Sequence, residues 1–235
     1  MYYNNFQTVF QYVILEKTFG GNTMKIYFVR HGETDWNTET RIQGRTDIPL
    51  NKNGRYVAEL TRDGLKDVPF DAAFSSPLSR AKETAEIILQ GKNVNIIEDE
   101  RLIEVSFGKY EGQTPEESDD NRKLFFSRPE LYVAKDGAES IEDMLEREGD
   151  FLRELFLNDA YKDSTILIAT HGAALSGLLC VIKGYGVADL WKDGLHQNCG
   201  ITIVEVTDGK PEIVKESFIL YDESLITKAL YLDVK

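Results

Sequence analysis

The chain has 235 residues, of which 42% are hydrophobic and 29% charged, with a formal net charge of −13. That composition supports a sizeable globular core. The acidic balance excludes a nucleic-acid-binding or anionic-membrane-binding surface, which would need clustered Lys and Arg. No stretch approaches the roughly 18 consecutive apolar residues of a spanning helix.

Residues 1–23 fit poorly with the rest of the chain, because a clear strand–helix pattern begins only at Met24. One reading makes Met24 the physiological start and residues 1–23 an upstream extension, as when Gly20-Gly21 is encoded as a ribosome-binding sequence. The other docks Val9-Phe10 and Tyr12–Leu15 as a genuine N-terminal element. The leader lacks the basic start, apolar stretch and small-residue cleavage site of a signal peptide. Residues 24–235 are expected to form one domain.

From there strands and helices alternate. Ile26–Val29 is an expected strand, and a helix runs from Asn51 to about Leu65 with Val57, Ala58 and Leu60 on one face. Ala72–Phe74 is a short strand, followed by a helix from Pro77 to Leu89 in which Ser75 or Ser76 is the N-cap. Val94–Ile97 is a third strand. Gly108–Gly137 is polar and without clear periodicity. Ser140 opens a strong helix in which Ile141, Met144, Leu145, Leu152, Leu155 and Phe156 recur at helical spacing. Thr165–Ala169 is a strand, Ala173–Ile182 an apolar helix, and Ile201–Val206 and Ile213–Ile219 are strands joined at Asp208-Gly209. The alternation predicts a three-layer α/β/α sandwich around a mostly parallel sheet.

The two cysteines, Cys180 and Cys199, match neither a disulfide framework nor a metal-ligand spacing. Cys180 reads as a buried thiol, and a reducing cytoplasm is the expected compartment. No pattern specifies an oligomer.

Ligands in open α/β sheets bind beyond the carboxyl ends of the strands. Three such ends carry suitable groups: Val29-Arg30-His31-Gly32, Phe74 through Arg80, and Thr170-His171-Gly172. Arg80 falls in a first helical turn, where anions are already favoured. Gly172 is expected to provide a sharp turn beside His171. Two arginines and two histidines on one sheet edge form an anion site containing a nucleophile. A neutral His31 can attack phosphorus, Arg30 and Arg80 can pair with phosphoryl oxygens, and a protonated His171 can stabilise developing charge. Asn37 is a neutral donor in reach, and Glu104, in competition with Glu98, Glu100 and Glu111, could protonate the leaving oxygen. Thr34, Gln43, Gly44 and Gly172 are expected near the substrate. His196 reads as a solvated loop residue, and Trp36 and Tyr110 as packing. Two histidines with one glutamate would also suit a metal, but the adjacent arginines would repel a cation.

Arg30-His31-Gly32-Glu33-Thr34 with Asn37 resembles the signature of the histidine phosphatase superfamily, which includes cofactor-dependent phosphoglycerate mutases. The resemblance extends to Ser76–Ala85, to Glu104 with Phe107-Gly108 and Tyr110-Glu111-Gly112, and to Thr170-His171-Gly172. It implies a phosphoglycerate mutase-like fold, His31 as nucleophile and Glu104 as proton donor. Arg30, Asn37, Arg80 and His171 would form the phosphate pocket. It also implies a histidine acid phosphatase-type phosphomonoesterase with no metal and no organic cofactor. The acidic run Glu116-Glu117-Ser118-Asp119-Asp120 stands where the mutases resembled carry a longer basic insertion. Gly137-Ala138-Glu139-Ser140 also looks like the phosphatase branch. The expected partner is a small phosphorylated metabolite. The alternatives are mutase activity and a noncatalytic phospholigand-binding module.

Overall fold

The computed structural model describes residues 23–117 and 119–226; the proposed extension, apart from Thr23, and the end of the tail lie outside them. Six strands form one sheet in the order β3-β2-β4-β1-β5-β6. They are β1 (Thr23–Arg30), β2 (Ala72–Ser75), β3 (Ile96–Glu98), β4 (Thr165–Thr170), β5 (Ile201–Thr207) and β6 (Lys210–Phe218). The first four run parallel, and β5 and β6 add two antiparallel strands on the β1 side. The expected sandwich is therefore present. The β5–β6 hairpin turns on Asp208 (φ 51°) and Gly209 (φ 73°), the paired positive φ that a two-residue hairpin turn requires. β6 starts three residues before the expected Ile213, and its Pro211 is tolerated because β6 is an edge strand.

Alternation along the strands builds the two cores. Ile26 and Phe28 of β1, Phe74 of β2 and Ile166 and Ile168 of β4 face one helical layer. Val29, Ala73, Leu167 and Ala169, one residue out of step, face the other. The first layer holds α5 (Ile141–Leu157) and α6 (Gly172–Lys183), and the second holds α2 (Lys52–Gly64) and α3 (Ser79–Ile88). Two short helices, α1 (Asp35–Thr38) and α4 (Asp120–Ser127), lie in the connections.

Caps fix several boundaries. Asn51 Oδ1 accepts from Gly54 N at 2.8 Å, and Ser140 Oγ accepts from Asp143 N at 3.0 Å. On α2, Val57, Ala58 and Thr61 are buried while Leu60 is only half-buried. Helix α3 starts at Ser79, two residues later than expected, because Leu78 stays extended and makes no side-chain cap bond. Ser76 instead accepts from Leu78 N within a turn (3.3 Å). The cap comes from outside the helix: Asp47 Oδ1 accepts from both Ser79 N (2.9 Å) and Ser79 Oγ (2.8 Å). The polar 108–137 stretch is also more ordered than its sequence suggests. Asp119 caps α4 through Arg122 N at 2.9 Å, and Phe125 and Phe126 clamp the helix against Phe107 and Trp191.

Glu148 on α5 is fully buried, and neither carboxyl oxygen has a hydrogen-bond partner. It fits because residue 177 on α6 is glycine; a Cβ there would collide with Glu148 Oε2. Burial raises its pKa well above the usual Glu value, against a weaker opposing effect from Arg147. The folded state therefore holds this proton more tightly than the unfolded chain. The stability so conferred is complete below the ordinary Glu pKa of about 4.5 and is lost as pH rises toward the raised value, at about 1.4 kcal/mol per pH unit. Glu148→Gln cannot ionise, so its melting temperature is expected to gain on wild type between about pH 5 and pH 8. A constant gap across that range would contradict this reading.

Candidate active site

Parallel pairing brings three loops to one edge of the sheet. β1 ends at Arg30, β2 at Ser75 and β4 at Thr170, with Arg30 in register with Thr170 and Ser75 with Ala169. The turn after β1 packs closely on α2. A Cβ on Gly32 would lie 2.7 Å from Gly54 O, and one on Gly54 would overlap the Glu33 backbone, so both positions need glycine. This contact sets where His31 leaves the strand. Its carbonyl also accepts from Asn198 Nδ2 at 2.9 Å.

The His31 ring is buried, with Nδ1 2.7 Å from Gly32 O. A carbonyl can only accept, so Nδ1 carries the proton and Nε2 keeps its lone pair. Burial first, then the Arg80 and Arg30 charges, hold its pKa well below the ordinary imidazole value. The neutral, nucleophilic form is therefore the resting form at neutral pH.

Arg80, in the first turn of α3, is completely buried. Its guanidinium donates to Gly44 O (2.6 Å), Thr46 O (2.9 Å) and His171 Nδ1 (3.1 Å). Burial lowers its pKa to about 10, with Glu104 opposing, so it stays charged at neutral pH. Arg30 donates through NH1 to His196 O at 2.5 Å, while its Nε is buried without a partner.

His171 is the N-cap residue of α6, yet its side chain makes no cap bond. Because Nδ1 accepts from Arg80, Nε2 carries the proton and donates to Ser76 Oγ at 2.7 Å. The His31 and His171 ring centres are 5.2 Å apart. Burial and the neighbouring Arg80 push the His171 pKa well below its ordinary value. Beside two buried arginines His171 is neutral here, and the protonated form expected to stabilise developing charge would need a proton that arrives with the substrate.

Glu104 is buried at the start of α6. Its carboxyl accepts from Ala174 N (2.9 Å), Val105 N (3.0 Å) and Ala173 N (3.2 Å). Two of these are otherwise unpaired donors of a helix N-terminus. The carboxylate thus caps α6 beside His171. Glu98 and Glu100, its rivals in the sequence, are exposed.

The remaining expected residues divide. Gly44 supplies the carbonyl that holds Arg80, and Gln43 is buried with its side-chain oxygen unpartnered. Thr34 is fully buried and caps α1 by exchanging bonds with Asn37, whose Oδ1 accepts from Thr34 N at 3.0 Å. Asn37 is thus tied by its oxygen, leaving its amide N–H groups as donors. Gly172 does not adopt a left-handed turn: it is the first residue of α6. A Cβ there would press on the end of the Leu195 side chain (2.9 Å) and stand in ordinary contact with Arg30 Nε (3.6 Å). His196 is buried rather than solvated: its Nε2 bonds Thr202 Oγ1 at 2.7 Å, and its carbonyl anchors Arg30. Tyr110 is packed as expected, donating to Asp119 Oδ2 at 2.7 Å, and Trp36 is half-buried. Both cysteines are buried and free.

A model of the histidine phosphatase superfamily (branch 1) matches residues 26–218. The chain belongs to the histidine phosphatase superfamily. An uncharacterized phosphatase, PhoE, of Bacillus subtilis is 38% identical over 161 residues, which cover 68% of this chain and 77% of PhoE. A probable phosphoglycerate mutase, GpmB, of Escherichia coli is 34% identical, covering 68% of this chain and 75% of GpmB. The solved structure of Bacillus stearothermophilus YhfR superposes with a TM-score of 0.78 at 33% identity, covering 83% of this chain and 97% of YhfR. Family membership supports an enzyme acting on phosphate esters.

Within this histidine phosphatase, sequence reasoning undervalued Glu111, treating it as a rival acid. Its carboxylate accepts from Arg45 N, Thr46 N and Oγ1, and Phe107 N, and so shapes the loop that offers Gly44 and Thr46 carbonyls to Arg80. Its place in Tyr110-Glu111-Gly112 was visible, but the loop that it would bond was not.

Proposed function

We propose that this histidine phosphatase is a metal-independent phosphomonoesterase that hydrolyses a small phosphorylated metabolite through a phosphohistidine at His31. The carrying observation is the His31 Nδ1–H bond to Gly32 O, which leaves Nε2 as a lone pair in a pocket with two buried arginines. In the first step the Nε2–P bond forms and the bond from phosphorus to the leaving oxygen breaks. Glu104, which takes up a proton along with the anionic substrate, gives it to that oxygen. Water then attacks phosphorus, the Nε2–P bond breaks and returns its electron pair to Nε2, Glu104 takes a proton from the water, and inorganic phosphate leaves. Arg30, Arg80, Asn37 and a His171 that gains its proton with the substrate's charge hold the phosphoryl oxygens. Gln43 and Gly172 are read as neighbours of the substrate. Metal independence is favoured because the buried guanidiniums beside the two histidines would repel a cation.

Hydrolysis is favoured over mutase activity by the acidic run at residues 116–120, which is unsuited to retaining a phosphorylated intermediate. Part of that acidity has structural uses: Asp119 accepts from Tyr110, and Glu117 Oε2 accepts from Thr114 N at 2.8 Å. Asp120 remains almost wholly exposed. The free thiols fit a reducing cytoplasm, and residues 24–235 are read as a single catalytic domain. No helix among the described residues is long and apolar enough to cross a membrane.

The test incubates the purified protein with sugar phosphates, phosphoglycerates, nucleotides and α-ribazole phosphate. Release of inorganic phosphate without isomerised product is expected. Isomerisation of phosphoglycerate without net phosphate release would make it a mutase, and phosphate binding without turnover would make it a binding module.

A further inference from the structure

The geometry points to Glu139 as a positioning residue for Glu104, acting through two arginines; this rests on the proposed role of Glu104 as proton donor. Glu139 lies immediately before the cap of α5 and is mostly buried, its side chain 12% exposed. It accepts from Arg147 Nε (2.8 Å) and NH2 (3.0 Å) in a bidentate pair, and its Oε1 also faces Arg45 NH2 at 3.0 Å. Each arginine spends its remaining reach on the segment that carries Glu104. Arg45 Nε donates to Glu104 O at 3.1 Å, and Arg147 NH1 donates to Arg101 O at 2.7 Å. The Glu139 backbone joins the same segment, its N–H donating to Ser106 O at 2.8 Å beside the Phe107–Ala138 bridge.

Glu104 is thus fixed at both ends. Its carboxyl is held by the α6 N–H groups and its backbone by Arg45, with Arg147 bracing the residues before it. One carboxylate sets both arginines. They come from segments remote in sequence, Arg45 from a loop and Arg147 from α5, and would repel each other without it. Loss of Glu139 frees the backbone end, and the carboxyl then meets the leaving oxygen in poorer alignment. A misplacement of about 1 Å is enough to cost on the order of 100-fold in a reacting group.

Leaving-group dependence separates this role from a merely structural one. An alkyl phosphate such as glycerol phosphate needs a proton on its departing oxygen, whereas p-nitrophenyl phosphate leaves as a stabilised anion. For Glu139→Gln, kcat on the alkyl ester is expected to fall at least about 10-fold more than kcat on p-nitrophenyl phosphate. Arg45→Gln, a change at a partly exposed side chain, is expected to show the same selectivity and carries the test if Glu139→Gln does not fold. Equal losses on the two esters in the variant that folds, or no loss on either, would overturn the positioning role. Glu104→Gln is assayed in parallel. If Glu104→Gln is selective and the folded positioning variant is not, the positioning role alone fails. If Glu104→Gln shows no selectivity, the donor assignment fails, and the positioning role falls with it.

Discussion

Replacing His31 with Ala is expected to lower turnover of p-nitrophenyl phosphate by at least about 10⁴-fold while leaving the fold intact. The size follows from the reaction path: without Nε2 there is no atom to accept the phosphoryl group. Arg30, Arg80 and His171 would still bind phosphate, so affinity for inorganic phosphate should survive even as turnover disappears. The fold should tolerate the change because the ring makes only one side-chain hydrogen bond among the described residues, to the neighbouring Gly32 carbonyl. Retention of even a tenth of wild-type turnover by a folded His31→Ala protein would mean that some other group takes the phosphoryl.

Arg80→Lys is the second large effect, and it should reach both activity and stability. The buried guanidinium holds the Gly44 and Thr46 carbonyls and His171 Nδ1 at once. A lysine ammonium cannot reproduce that planar fork, nor the paired bonds to two phosphoryl oxygens. Turnover is expected to fall roughly 10²- to 10³-fold, the scale of losing a charged transition-state donor. Carbonyls left unpaired in the interior should cost on the order of 2–4 kcal/mol of stability. Thermal melts and steady-state kinetics on one preparation measure both. A variant as stable and active as wild type would remove Arg80 from the pocket.

The strand ends were legible because two separate signals coincide there. Apolar runs such as Ile26–Val29 end on Arg30-His31, and Thr165–Ala169 ends on His171; parallel pairing then brings both ends to one edge. The Ser140 helix was equally plain, since its amphipathic period and its cap agree. What escaped was whatever depends on contacts between distant segments. Leu78 rather than Ser76 precedes α3 because His171, 95 residues away, takes the Ser76 hydroxyl and Asp47 caps from another loop. His196 looked solvated because its polar neighbours gave no hint that Thr202 and Arg30 would bury it. The resting protonation of His171 was illegible for a related reason. Two histidines and two arginines suggest an anion site in any order, but burial beside Arg80 lowers the pKa of both imidazoles. The acidic loop gave no period because Asp119 and Glu117 bond locally rather than on a helix face.

The central claim is that the phosphoryl group passes through Nε2 of His31. Rapid quenching of the protein with a phosphate ester, followed by mass spectrometry under conditions that preserve acid-labile phosphoramidates, tests it directly. A single phosphoryl group on His31, absent from His31→Ala and lost on standing in water, is the predicted result. Steady turnover with the label on another residue would contradict the account.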